Sequence, residues 1–388
     1  MSVPVLHCYA DHKWTGPSEP VLRLCCELSR RGWRSDLACV PAPRGHQNQL
    51  AERARAAGIQ TFEPFGHVYG MGLMGALSDC RRFAELVARG GYRIIHCHGS
   101  RDHLIAGWSR PQFDSRDVRI IRTHFKAHDF SSSLLMRRYF GPTMIDHLVV
   151  LSDRFAVQAV SRLRLAPERV TTIRGAVDTE EFRPQRPPDG FRGQFGLSPE
   201  DVVVGVVARI QRHRRFEVLL KAARIVRNQD PRVKVAICGR GTHKRAILDR
   251  PVAKMRLQGT VVFLGYRQDD YRETLSMFDA GLMLVPGTDG SCRAALQMAA
   301  MGKPLIVTRR GVLPDIVRDG ETGIVVVKDT PESVAEAIVE MAADPDSRAQ
   351  WGQAAREHMC RYFSLPRQAD EVISVYERLL VDEAPPAE

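Results

Sequence analysis

Short apolar runs rich in β-branched residues alternate with amphipathic stretches along the whole chain. In the first half, residues 3–8, 35–40, 92–97, 118–122, 147–151 and 170–173 predict strands, and 20–31, 75–89, 102–109 and 153–162 predict helices. Continuously apolar strands separated by helices belong to a parallel sheet covered on both faces. Residues 182–199, with Pro184, Pro187, Pro188 and three glycines, interrupt the pattern and predict a linker. A second series follows, with strands at 202–208, 234–238, 260–264, 280–285, 305–307 and 323–327. The tail, 366–380, predicts a helix long enough to return to the first half. The expected fold class is α/β, with a first domain over 1–181, a second over 200–363, and 364–381 crossing back. Two open sheets of this kind would face each other across a cleft, and ligands bind at such crevices.

Length and charge narrow the class. The 388 residues exceed what one core of roughly 250–300 residues supports, and no apolar stretch approaches the ~20 residues of a spanning helix. The opening Met1-Ser2-Val3-Pro4-Val5-Leu6 lacks the basic region of a signal peptide. Nine cysteines, an odd number without CxxC spacing, predict reduced thiols. Together these predict a cytoplasmic protein, with a peripheral place on the inner face of the cytoplasmic membrane as an extension. Residues 1–200 carry 28 basic and 20 acidic side chains, residues 201–388 carry 28 and 25. The more basic first half suits an anionic partner such as a membrane surface, and Arg30, Arg31, Arg81, Arg82, Arg137 and Arg138 are candidates for docking on it. No recognition motif points to nucleic acid.

Three loops of the second half carry candidate chemistry. The strand 280–285 runs into Pro286-Gly287-Thr288-Asp289-Gly290-Ser291-Cys292 and then a helix, so backbone N–H groups and the helix dipole offer an anion site. The strand 202–208 ends in Arg209-Ile210-Gln211-Arg212-His213-Arg214-Arg215, where guanidiniums could clamp a diphosphate or simply be solvated. Gly239-Arg240-Gly241 ends a third strand and allows close backbone approach. The turn after the first strand, Tyr9-Ala10-Asp11-His12-Lys13, is no GxGxxG loop and disfavours a dehydrogenase. His96, His98 and His103 form a metal-ligand pattern that lacks a fourth ligand at suitable spacing, so no metal is expected.

These loops resemble the retaining nucleotide-sugar glycosyltransferases of family 4, which have the GT-B fold of two Rossmann-like domains. The resemblance includes Arg209 with Arg214, Gly239-x-Gly241, Val261-Val262-Phe263-Leu264-Gly265 and Gln297-Met298-Ala299-Ala300-Met301-Gly302-Lys303-Pro304. It continues through Leu313-Pro314-Asp315-Ile316-Val317 and Asp319-Gly320-Glu321-Thr322-Gly323, with Gly175-Ala176-Val177-Asp178-x-x-x-Phe182 at the hinge. In the first half, Trp14-Thr15-Gly16-Pro17-Ser18-Glu19, His96-Cys97-His98 and Arg122-Thr123-His124 are similar to the family's acceptor loop and histidine-bearing strand ends.

The resemblance implies a UDP- or GDP-sugar donor, a glycan or lipid-linked acceptor from envelope synthesis, and no bound cofactor or metal. Arg209 and Arg214 would bind the donor diphosphate and stabilise the leaving group. Gly239, Gly241, Gly290, Ser291, Cys292 and Arg293 would hold phosphate and sugar. The family's Glu-x7-Glu pair falls on Asp289, for the donor sugar, and Gln297, for the ribose, so both identities depart while the spacing holds. His124 would contact the donor sugar or the reaction centre, and Gly16, His98 and Asp102 the acceptor. A catalytically silent nucleotide-sugar-binding relative is the alternative that these departures suggest.

Overall fold

The apolar runs of the first half become β1 (Pro4–Cys8), β2 (Arg34–Ala38), β3 (Thr61–Phe62), β4 (Ile94–Cys97), β5 (Arg119–His124), β6 (His147–Val150) and β7 (Val170–Thr172). They form one parallel sheet in the order β3-β2-β1-β4-β5-β6-β7. The second half supplies β8 (Val202–Val207), β9 (Val233–Cys238), β10 (Val261–Gly265), β11 (Ala280–Met283), β12 (Leu305–Thr308) and β13 (Gly323–Val326), ordered β10-β9-β8-β11-β12-β13 and again parallel. The computed structural model describes residues 3–14, 16–66, 73–113, 117–126, 128–287 and 290–381. Two compact units result: unit 1, Met1–Gly175 with Leu365–Glu388, and unit 2, Ala176–Ser364.

In each sheet the strand order reverses once, between β1 and β4 in unit 1 and between β8 and β11 in unit 2. At such a switch point the connecting helices leave to opposite faces, which opens a crevice at the carboxyl ends of the strands. The loops singled out in the sequence end the strands at or beside these two places.

The core of unit 1 depends on the end of the chain. Helix Leu365–Val381 lays Ala369, Val372, Val375 and Tyr376 against Val5, Ile94, Ile121 and Val149 of the sheet and Leu24 and Leu28 of helix Ser18–Arg30. Its polar ties include Arg31 to Asp370 (2.7 Å) and to the Pro366 carbonyl (2.9 Å), and Arg119 to the Leu379 carbonyl (3.2 Å). Arg31, a candidate for membrane docking, is therefore engaged within the fold.

Residues 182–199 are not a free linker. Phe182, Phe191 and Leu197 are buried. Arg192 donates to both carboxylate oxygens of Asp279 (3.0 Å each) and to the Met277 carbonyl (2.6 Å). Residues 182–199 belong to unit 2, which begins at Ala176. Proline and glycine marked the turns correctly but carried no sign of these anchors. The chain leaves and re-enters unit 2 side by side, with the Val177 N–H bonded to the Phe363 carbonyl (2.8 Å) and Val177 bridged to Ser364.

Candidate functional site

At the switch point of unit 2, the residues after β8 divide their tasks. Arg209 is exposed. Arg214 is half-buried, and its Nη1 donates to the Val285 carbonyl (2.9 Å) just beyond β11. Gly287 makes room for it, since a Cβ there would lie 2.6 Å from Arg214 Nη2. Arg215, left-handed at φ +60°, pairs instead with Asp329 (2.7 Å), whose other oxygen binds Arg310. One guanidinium is thus fixed against the loop after β11, and a second, Arg209, is exposed at the strand end.

That loop continues through Gly290, Ser291 and Cys292, all buried, into helix Arg293–Ala300. Cys292 is left-handed at φ +50°, a conformation that costs a non-glycine residue of order 1–2 kcal/mol. Arg293 places a cation at the positive end of the helix dipole, which opposes the helix and favours an anion. Gln297 is buried, and its Oε1 accepts from the Tyr271 hydroxyl (2.9 Å). This leaves its amide NH2 as the group able to serve a ligand. Thr288 and Asp289 lie outside the described residues.

Gly239 and Gly241 pack against the segment after β8. A Cβ on Gly239 would stand 2.0 Å from the Ala208 carbonyl oxygen, and one on Gly241 2.2 Å from that of Ile210. The Ile210 N–H donates to the Arg240 carbonyl (3.0 Å). The glycines therefore admit the neighbouring loop and seat the arginine segment. Between them, Arg240 lies over the exposed Tyr266 ring (4.3 Å) at the ends of β9 and β10, a flat cationic surface that the sequence reading missed.

In unit 1, Asp102 is fully buried and accepts from the backbone N–H groups of His98 (2.8 Å), Gly99 (2.7 Å) and Ala10 (3.5 Å). It ties the loops after β1 and β4 together and caps helix Ser100–Ser109, so it is no surface for an acceptor. His98 is also withdrawn, in a buried stack with His96 (4.2 Å) and His7 (5.3 Å). Gly16 is half-buried in the turn before helix Ser18–Arg30, and Thr15 is outside the described residues. His124, at the end of β5, packs on Phe130 (4.5 Å) and Phe140 (5.7 Å). Burial, then the charges of Arg122 and Lys126, hold its pKa down to about 3, so the imidazole is neutral near pH 7. An open depression of about 590 Å³ beside the loop after β1 is lined by His12, Lys13, Gly45, His46, Gln47 and Gln49.

Among the described residues, the histidines close enough to share an ion are His7, His96 and His98, with ligand atoms within 4.8 Å of one another. His103 is not part of that set. His96 gives one nitrogen to the Tyr376 hydroxyl and the other to Thr123 Oγ1, both at 2.6 Å, and His7 Nδ1 meets His98 Nε2 at 3.0 Å. The ring planes lie 12° to 34° apart, stacked rather than converging. To bind a metal, His96 would have to surrender one of its two partners.

Residues 189–358 match the model for glycosyl transferases group 1, and residues 15–181 match that for glycosyltransferase family 4. D-inositol 3-phosphate glycosyltransferase of Corynebacterium diphtheriae is 30% identical over 304 residues, which is 74% of this chain and 70% of that one. The chain is a family 4 glycosyltransferase. N-acetyl-alpha-D-glucosaminyl L-malate synthase of Bacillus anthracis is also similar, 24% identical over 79% of both chains. The structure of Anabaena HepE in complex with UDP superimposes with a TM-score of 0.80 at 14% identity, over 97% of this chain and all of the other. The glycosyltransferase has the GT-B fold, and as a member of this family it is an enzyme that transfers a sugar. No helix among the described residues is long and apolar enough to cross a membrane.

Proposed function

We propose that this glycosyltransferase moves a sugar with retention of configuration from a UDP- or GDP-sugar held by unit 2 to a hydroxyl of an acceptor held by unit 1. The acceptor is an envelope polysaccharide, a lipopolysaccharide or a lipid-linked glycan. The carrying observation is Arg214, fixed to the Val285 carbonyl over Gly287 and next to the buried turn at 290–292. A fixed guanidinium and a helix N-terminus aimed at one place stabilise charge that grows on a leaving diphosphate, with no reorganisation at the moment of reaction. Arg209 closes the clamp from the exposed strand end. The Arg240–Tyr266 surface suits a planar base, the Gln297 amide suits a ribose hydroxyl, and Asp289 serves the donor sugar. HepE, with UDP bound, supports a uridine donor.

Among the described residues of the site no side chain is an evident covalent nucleophile, and membership of the family implies retention by attack on the face that the phosphate leaves, with a departing phosphate oxygen taking the acceptor proton. In that scheme a neutral His124 orients hydroxyls by hydrogen bonds, and rate comes from positioning and charge stabilisation.

The relatives named for inositol 3-phosphate and L-malate favour a second reading of the acceptor, a small soluble anion, for which the depression at His12, Lys13 and His46 is large enough. For a lipid-linked acceptor the supporting feature is Leu134 and Leu135, 72% and 76% exposed, on the turn that carries Arg138. Vesicles with anionic lipid separate the two. Retention of the protein that is lost in L134S/L135S supports a peripheral site, and equal partition with neutral vesicles removes it.

The test of the activity is nucleotide release with UDP-, GDP-, ADP- and TDP-sugars by the wild type and by R209A, R214A and D289A. Release from one donor, lost in all three variants, is expected. Tight donor binding without release under any acceptor would instead identify a silent relative.

A further inference from the structure

Three strand ends of unit 2 are joined by one carboxylate. Asp329, in the loop after β13, accepts from Arg215 Nη2 at Oδ1 (2.7 Å) and again at its main-chain carbonyl (3.1 Å). Its Oδ2 accepts from Nε (2.9 Å) and Nη2 (2.6 Å) of Arg310, in the loop after β12. The carboxylate is the shielded centre of the three, 17% exposed against 36% for Arg215 and 48% for Arg310. A network of this kind holds its members better than a lone surface pair does.

Each partner of Asp329 adjoins a residue that touches the loop after β11. Arg214, immediately before Arg215, bonds to the Val285 carbonyl and fills the space over Gly287. Gly311, immediately after Arg310, lies at φ +55°, and a Cβ on it would stand 2.9 Å from Pro286 Cγ. Pro286 and Gly287 are thus met by two segments that share one carboxylate.

Arg215 is the weak point of this arrangement. It is left-handed at φ +60°, where it ends the 3-10 turn Arg212–Arg214 and begins helix Phe216–Gln229. The Val218 and Leu219 N–H groups close on its carbonyl (3.0 and 3.2 Å). A left-handed residue other than glycine persists only where its surroundings over-determine it. The tie to Asp329 supplies that from another strand end. Glu217, 3.4 Å from Arg215 Nε, sits on the same helix turn and cannot.

We propose that Asp329 is a positioning residue for sugar transfer. By holding Arg215 left-handed it fixes the turn that aims Arg214 at the loop after β11, while Arg310 steadies that loop from β12. This rests on the reading of Arg214 as the group that stabilises the leaving diphosphate. Asp329 acts through Arg214 and not on the substrate, because a stabilising charge lowers the barrier most when it is in place beforehand.

The experiment combines steady-state nucleotide release from the panel of sugar donors with amide hydrogen exchange of the full chain. It compares wild type, D329A, R214A, R214A/D329A and D329A/R215G. D329A should lower kcat roughly 10- to 100-fold, the scale of a small misplacement, with the donor KM little changed. In the R214A background the same substitution should change kcat by less than about twofold, because the group it positions is gone. Glycine takes the left-handed place without a tether, so D329A/R215G should recover most of the loss. Exchange of the Arg214, Val218 and Leu219 amides should quicken in D329A and slow again in D329A/R215G. If D329A does not fold, D329N, which keeps one acceptor and removes the charge, carries the test with the same pattern at smaller size.

A loss of equal size in the wild-type and R214A backgrounds overturns the proposal, because Asp329 then acts elsewhere. So does a loss that R215G leaves in place. Release that disappears in R214A and stays at the wild-type level in D329A removes Asp329 and leaves the transferase reading standing. If no donor is turned over, the transferase reading fails and exchange alone decides. Unaltered rates in D329A then remove the hold on Arg214, and quickened rates reversed by R215G retain it.

Discussion

Arg214 and Cys292 make opposite demands on unit 2. Arg214 is held by a hydrogen bond and by the missing side chain of Gly287, so its position precedes any ligand. R214A should lower kcat by roughly 100- to 1,000-fold, the scale for deleting one preorganised stabiliser, and R214K should recover only part of it. Steady-state nucleotide release, with the denaturation midpoint as a control for folding, checks both. Cys292 is left-handed, a conformation that glycine adopts without steric cost. C292G should keep donor binding and the denaturation midpoint near wild type. C292V, whose branched Cβ tolerates that conformation least, should lose about 1–2 kcal/mol in urea denaturation and weaken donor binding with it. Equal behaviour of the two variants would mean that the turn relaxes at no cost. Motif spacing placed Arg214, Cys292 and Gln297 around one loop, because a phosphate site is built from adjacent backbone and the following helix. The tasks of Gly239, Gly241 and Asp102 were not legible, because each is set by a partner from a separate segment: Ala208, Ile210 and Ala10.

At the scale of elements, strands such as Val202–Val207 and Ala280–Met283 were legible because they are unbroken apolar runs, and the long helices because their faces alternate. β3, with two residues, and helix Leu134–Tyr139, with six, are too short for a period to show. The histidine stack was also invisible, since His7 is 89 residues from His96 and only the register of β1 against β4 joins them. The last helix locks that stack through Tyr376. Y376F would leave His96 Nδ1 buried without its 2.6 Å partner, at a cost of about 1–3 kcal/mol. Y376A should cost about 3–5 kcal/mol, because the ring itself is fully buried. Chemical denaturation distinguishes these values from the near-zero change that a solvent-exposed tail would give.

Over the whole molecule, buried imidazoles tie stability to acidity. Burial lowers His7 and His124 to about 3 and His147 to about 4, and sets His96 and His98 well below their ordinary value. Below about pH 6.5 the unfolded chain binds protons that the folded one refuses, so stability is complete above about pH 7 and falls as the pH drops towards 4. Each such histidine contributes up to about 1.4 kcal/mol per pH unit in that window. The urea midpoint should therefore decline between pH 7 and 5, before most carboxylates titrate, and a flat profile there would mean that the histidines are hydrated. The closing helix has a consequence for the order of events during synthesis. Unit 2 is an insertion whose two ends meet at Val177 and Ser364, and everything it needs has been translated before helix Leu365–Val381 emerges. The amino-terminal half must wait on the ribosome with one face of its sheet uncovered, while the segment made after it is already able to fold. Chains that end at residue 364 and are carried clear of the exit tunnel by an unstructured linker should accordingly yield a protease-resistant fragment of unit 2 and a digestible unit 1, the reverse of the usual order for a two-domain chain.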